Sequence, residues 1–179
     1  MMAYAAISGW LTLSLPIVLA AAAPAVGWRF LGQLGAAMGL GMGAVGSALG
    51  IGAAGQAAAG AWAKEARAGR RLSFTYIILV SAPITQTLYA MIVMNNMSAA
   101  CADAEQSVSN AGMLLAIGLA TGLGEMLSAW MQGLIGAAGI RALSDSEGQG
   151  FAFILIALGI VETVGIFTMV FLLGMIPSV

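Results

Sequence analysis

Four stretches of this chain are too long and too poor in charge to fold as anything but membrane-spanning helices. Phe30–Ala63 runs 34 residues with no charged side chain, and Phe74–Met94 runs 21 with none. Val108–Ile140 contains only Glu125, and Phe151–Ile176 contains only Glu162. A helix that crosses a bilayer needs about 20 apolar residues, each rising about 1.5 Å. Only 7% of the 179 residues are charged, against about 25% in a soluble domain, so the chain cannot cover itself with a wet surface. The expected fold is an all-α integral membrane protein with two tandem transmembrane hairpins, four helices in all. A fifth uncharged run, Ala3–Trp28, precedes them. The expected organisation is an N-terminal apolar segment (1–29), a first hairpin (30–97), an outer connection (98–107) and a second hairpin (108–179).

The few charges orient the bundle and narrow the chemistry. "KEARAGRR", Lys64 to Arg71, holds four of the six basic residues, and "RALSDSEGQ" begins with Arg141. The connection "NNMSAACADAEQS" holds Asp103 and Glu105 and no base. The positive-inside rule puts the two basic loops in the cytoplasm and the acidic connection outside. Formal net charge is −1 with no extended basic patch, which argues against nucleic acid as a partner. With no His and a single Cys, Cys101, histidine-based catalysis, histidine zinc sites and intrachain disulfides are excluded. Carboxylates, amides and hydroxyls must carry the function.

The hairpins look like copies of one unit. "IGAAG" occurs at Ile51–Gly55 and at Ile135–Gly139, an offset of 84, while Phe74 and Phe151 open the second and fourth runs at an offset of 77. The basic loop of the first copy, seven residues longer, absorbs the difference. At the 77 offset Thr85 falls opposite Glu162, so a carboxylate is kept in one copy only. The first run of the first hairpin contains 10 Gly and 11 Ala, and Gly39, Gly43, Gly46 and Gly50 share a helix face. Small residues let membrane helices approach closely. The formal fingerprint Gly41-x-Gly43-x-x-Gly46 is packing glycine, because neither a strand before it nor a ribose-binding acid after it is present.

Two stretches carry groups that are costly in lipid. Glu162 lies in "IALGIVETVGIF", where an ionisable group at helix centre costs about 2.5–3.5 kcal/mol or more. It marks an ion path, or else is a neutral acid that glues helices. "APITQTLYA" offers Thr85, Gln86, Tyr89 and the main-chain oxygens that Pro83 disturbs, with Ala82, Thr85 and Tyr89 on one face. Gln132 in "AWMQGLIG" adds an amide. Hard oxygens suit a small hard cation, and the alternative is hydrogen bonding within or between helices. Thr85, Gln86, Gln132 and Glu162 together provide one negative charge, which a monovalent cation cancels.

With these motifs in place, the chain from about residue 30 onward resembles the proteolipid of V-type rotary ATPases, called subunit K or the c subunit, in its duplicated-hairpin form. The shared features are the Gly/Ala first helix, "AP-x-TQ-x-x-Y", "Q-x-x-x-G-A-A-G-I" and "VET". The resemblance implies a homo-oligomeric ring turning against a stator subunit, with the cytoplasmic loops at a central-stalk subunit, in the cell membrane of a prokaryote. It implies no catalytic site and no cofactor in this chain, which is one subunit of an ATP-driven complex. It also implies a transported Na+, or H+, held by Thr85, Gln86, the carbonyl of Ala82, Gln132 and Glu162, with Tyr89 locking Glu162 by a hydrogen bond. The full oxygen set favours Na+ over the proton-translocating form of the same ring.

Two features depart from that pattern. Glu125 sits two turns from Gln132 on the same face, as a protonated structural acid, a second carboxylate near the ion path or a modifier of selectivity; the first is favoured. The N-terminal segment is either a signal peptide with Ala23-Pro24-Ala25 as its cleavage box or a retained helix. It lacks a basic leader region, which favours retention. A rival of another class is a small secondary transporter coupling ions at Glu162 and Glu125, but such proteins commonly use inverted repeats, whereas these hairpins run the same way.

Overall fold

The computed structural model describes residues 2–177, with side chains from Gly27 onward, and among these residues all regular structure is helical. The elements are α1 (Met2–Arg67), α2 (Tyr76–Ser81), a 3-10 turn (Ala82–Ile84), α3 (Thr85–Ala102), α4 (Ala104–Ser109), α5 (Ala111–Asp145) and α6 (Phe151–Leu173). Among the residues described with side chains, four stretches are long and apolar enough to cross a membrane: Gly27–Arg67, Tyr76–Ala102, Ala111–Asp145 and Phe151–Leu173. They are the four expected helices. The N-terminal run continues α1 as helix from Met2; the choice between leader and retained helix for residues 1–25 is a matter of processing, not of fold. Pro83 breaks the second span as expected: it has no N–H for the Leu79 carbonyl, and the chain tightens into the 3-10 turn between α2 and α3.

The two glycine-rich helices lie directly against each other. A Cβ added to Gly118 would fall 2.0 Å from the Gly35 carbonyl oxygen, and one added to Gly133 would fall 2.1 Å from the Gly50 Cα. Backbone meets backbone at two levels, which any side chain would prevent. Both pairs are 83 residues apart, so α1 and α5 run parallel in a register one residue from the 84-residue offset of the "IGAAG" repeat. The sequence repeat is therefore a structural one, with its first helices side by side. Antiparallel to α5 runs α6, with Ile154 against Gly139 and Thr168 against Gly124. Outside those contacts α6 presents an exposed apolar surface that includes Phe153, Ile160, Val164 and Phe171.

Charges and polar caps gather at the ends. Lys64 pairs with Asp145, and the Arg70 guanidinium donates to the Ser144 carbonyl and lies 3.8 Å from Glu147. The two basic loops thus share one end of the bundle. Buried Glu65 accepts from the Tyr76 hydroxyl and from the Ser73 N–H, and Trp62 Nε1 donates to the Ser73 carbonyl at 2.8 Å. The connection at the other end, expected over 98–107, is largely helical: α3 continues to Ala102, Asp103 accepts from the Gln106 N–H, and α4 follows. Asp103 supplies a helix cap there instead of a loop charge.

Gly133→Ala is expected to force α1 and α5 apart and to cost about 1–3 kcal/mol or more, as overpacking does. Thermal melting of the detergent-purified protein, compared with Gly60→Ala, where a Cβ meets no atom within 4 Å of the protomer, measures this. Gly60→Ala is expected to leave the transition unchanged or raise it.

Candidate ion-binding site

The break at Pro83 builds the first part of the site. The Thr85 hydroxyl oxygen lies 3.1 Å from the Ala82 carbonyl oxygen and 3.0 Å from Gln86 Oε1. The backbone N–H of Thr85 also points at Ala82 O. Between these three oxygens there is one hydroxyl proton, which satisfies one neighbour at a time. Such a group has more lone pairs than side-chain hydrogens and is a natural place for positive charge. Thr85 and Ala82 are half-buried, whereas Gln86 is fully enclosed.

One turn further along α3, the Tyr89 hydroxyl donates to Glu162 Oε1 at 2.9 Å. This bond ties the oxygen group of the first hairpin to the carboxylate of the second. Glu162 is half-buried on α6, within reach of the protomer's edge. The two residues that the motif pairs are bonded to each other in the fold.

Gln132 comes from α5 and is completely buried, and neither of its amide atoms has a hydrogen-bond partner among the described residues. Its neighbours on one helical face fix its surroundings. Ser128, one turn before, is bonded to Gln86, and a Cβ on Gly136, one turn after, would lie 2.9 Å from the Leu79 carbonyl oxygen. Gln132 therefore lies along α5 between the levels of Gln86 and Leu79, which is the level of Ala82 and Pro83. A buried amide without partners is costly, and it is a ready donor of one more oxygen.

Sequence reasoning missed Ser128. Its hydroxyl accepts from Gln86 Nε2 at 3.3 Å and donates to the Val161 carbonyl at 3.0 Å, one residue before Glu162. The available signal was its spacing, since Glu125, Ser128 and Gln132 follow one another at three and four residues along one face. Ser47 and Thr87 form a second polar link, in which Thr87 donates to Ser47 at 2.7 Å and Ser47 to the Pro83 carbonyl at 2.6 Å. That link fixes the broken turn against α1.

Glu125 is the other carboxyl inside the membrane span. It is completely buried, and both its oxygens lack a hydrogen-bond partner among the described residues. A Cβ on Gly165 would fall 2.7 Å from Glu125 Oε2, 3.3 Å from Ser128 Oγ and 3.4 Å from Gln86 Cγ. A Cβ on Gly43 would fall 3.5 Å from the Glu125 Cβ and 2.9 Å from the Ala90 methyl. Thus α1, α3 and α6 close over Glu125 with small residues, and it sits behind Ser128 and Gln86.

The family model for the ATP synthase c subunit matches the chain twice, over residues 34–95 and 115–175. The two matches fall on the two hairpins. No curated protein matches the chain.

Tyr89→Phe is expected to free Glu162 from its one hydroxyl partner. Carbodiimide modification of Glu162, followed by mass spectrometry, should run about three- to tenfold faster than in the unaltered protein, as loss of one hydrogen bond to a carboxyl implies.

Proposed function

The chain belongs to the ATP synthase c-subunit family, and from that premise we propose that it is the duplicated-hairpin rotor subunit of a V-type ATPase, loading sodium at Glu162. Family membership carries the coarser statement: the chain is an ion-carrying, non-catalytic, multi-pass membrane subunit that assembles into a ring within the membrane sector of a rotary ATPase. The finer reading rests on one observation above the others. Ala82 O, Thr85 Oγ1 and Gln86 Oε1 converge with a single side-chain proton between them, at the level of the unpartnered Gln132 amide. A proton carrier needs a carboxyl and little else, whereas this oxygen group adds what a dehydrated cation needs.

In this reading Na+ is the transported substrate. It is held by Glu162, Gln132, Gln86, Thr85 and the Ala82 carbonyl, and Tyr89 keeps Glu162 turned toward it. In lipid the carboxylate must be neutralised by sodium or by a proton, because bare charge is prohibitive there. Opposite a cationic group on the stator subunit the ionised form is stabilised and the ion leaves. The loops Lys64–Arg71 and Arg141–Gly150 then meet the central stalk, on the cytoplasmic side of a prokaryotic cell membrane, and ATP hydrolysis drives the ring. Among the described residues Glu125 makes no ion pair, and three helices of small residues surround it, so it serves as a neutral structural acid. The parallel packing of α1 and α5 disfavours the secondary-transporter alternative, for which inverted repeats are the common plan.

Carbodiimide labelling of the purified ring tests the assignment, because the reagent attacks a protonated carboxyl in an apolar setting. Glu162 is expected to be labelled, millimolar sodium to protect it, and Glu162→Gln to abolish both labelling and ion transport. Labelling of Glu162 indifferent to sodium makes the ring a proton rotor, and labelling of Glu125 in its place moves the ion path. Glu125→Gln, which keeps the volume and hydrogen-bonding capacity, is expected to leave assembly and sodium protection within about twofold of the unaltered ring.

A further inference from the structure

We propose that Ser128 is the positioning residue that sets the orientation of the Gln86 amide, and thereby makes the group around Thr85 a cation site instead of an internally bonded turn. The inference rests on the sodium reading above and concerns a residue outside the ion-holding set.

The number of available protons fixes the direction of each bond. The Val161 carbonyl can only accept, so the Ser128 hydroxyl, 3.0 Å away, spends its one proton there. Towards Gln86 it then has only lone pairs to offer. The atom of the Gln86 amide that faces it must be the NH2 group, and Nε2 lies 3.3 Å away. The amide's other atom, Oε1, is therefore turned toward Thr85, at 3.0 Å. A polarity runs from α6 through α5 to α3: carbonyl, hydroxyl, amide nitrogen, amide oxygen.

Without Ser128 nothing described on this side opposes a half-turn of the amide. Flipped, Nε2 would donate to the Thr85 oxygen and the group would lose one oxygen and gain two hydrogens. Cation binding would weaken, while Glu162, bonded to Tyr89 through its own oxygen, would still take up a proton. Ser128 is 2% exposed and Gln86 is 0% exposed, so water cannot take over the task. Gly165 leaves the room: a side chain there would press on the Ser128 hydroxyl and on Gln86 Cγ. Ser128 meets α6 only at the Val161 carbonyl, whereas the Glu162 carboxyl is bonded to Tyr89, so the loss falls on the neutral ligand.

The test is Ser128→Ala in the intact ring, read by carbodiimide labelling of Glu162 with and without sodium chloride. The sodium concentration that halves the labelling is expected to rise about tenfold, the cost of one misdirected buried hydrogen bond, while the labelling rate without sodium stays within about twofold. A merely structural role would not separate these readouts. Equal half-protection in Ser128→Ala and the unaltered ring overturns the proposal, as does an equal change in both readouts. Should the alanine ring fail to assemble, Ser128→Cys keeps the size and weakens the hydrogen bond, with at least a threefold rise expected; no rise overturns the proposal. If sodium does not protect Glu162 even in the unaltered ring, the sodium reading itself fails and takes this role with it. That result is distinct, because it appears before any substitution is made.

Discussion

Everything in this molecule is arranged around the cost of a charge in lipid. The membrane spans hold two carboxyls away from their ends, Glu125 and Glu162, and no bare carboxylate survives there. The fold handles the two in opposite ways. Glu162 is left half-buried on α6, the span with the most exposed surface, and is held by a single hydroxyl from Tyr89. On the proposed reading a neutralising ion arrives and departs there. Glu125 is sealed at 0% exposure behind Gly43, Ala90 and Gly165, where nothing exchanges readily. Exposure therefore separates the two carboxyls, although the residue type is the same.

That difference depends on the glycines. Because α1 and α5 touch through backbone at Gly35–Gly118 and Gly50–Gly133, the polar face of α5 is drawn up against α3 and α6. Ser128 then reaches Gln86 on one helix and Val161 on another. A wider spacing would leave the short Ser128 side chain unable to bridge them. Close packing is not needed here to drive helices together against water, as in a soluble core. It brings short polar side chains within bonding distance across helices, where lipid offers no substitute partner.

The large features were legible in the sequence because they are written in long runs. Uncharged stretches give the spans, the basic loops give the shared end, and the repeated "IGAAG" with its offset of 84 foretells a parallel α1–α5 pair that the structure registers at 83. The Tyr89–Glu162 bond was legible only through a motif, since 73 residues separate the partners. Ser128 was legible only as a spacing between Glu125 and Gln132; among Ala, Gly and Met it otherwise reads as one more small residue. Its role depends on which carbonyl stands opposite, and that is set by the rotation of α6. Glu125 was visible, but its enclosure was not, because its walls come from positions 43, 90 and 165 on three helices. The helical outer connection was read as a plain link because Asp103 and Glu105 look like loop charges until Asp103 is seen to cap α4.

Duplication accounts for the single carboxyl at the α3–α6 junction. The offset of 77 makes Thr85 and Glu162 counterparts in the two copies, and α3 and α6, which carry them, are joined by the Tyr89 bond. Two carboxylates at such a junction would leave one negative charge uncompensated after a single monovalent cation entered, and like charges would oppose each other's ionisation. Replacing one by a threonine keeps an oxygen and removes the charge. In the proposed site the first hairpin contributes neutral ligands, the second contributes the charge, and the loaded junction is neutral. On the proposed reading each protomer carries one ion on four helices, where an unduplicated ring with a carboxylate on every hairpin would carry two. In that reading the exchange of a carboxyl for a hydroxyl trades ions per turn for a site with oxygens enough to strip a cation of its water.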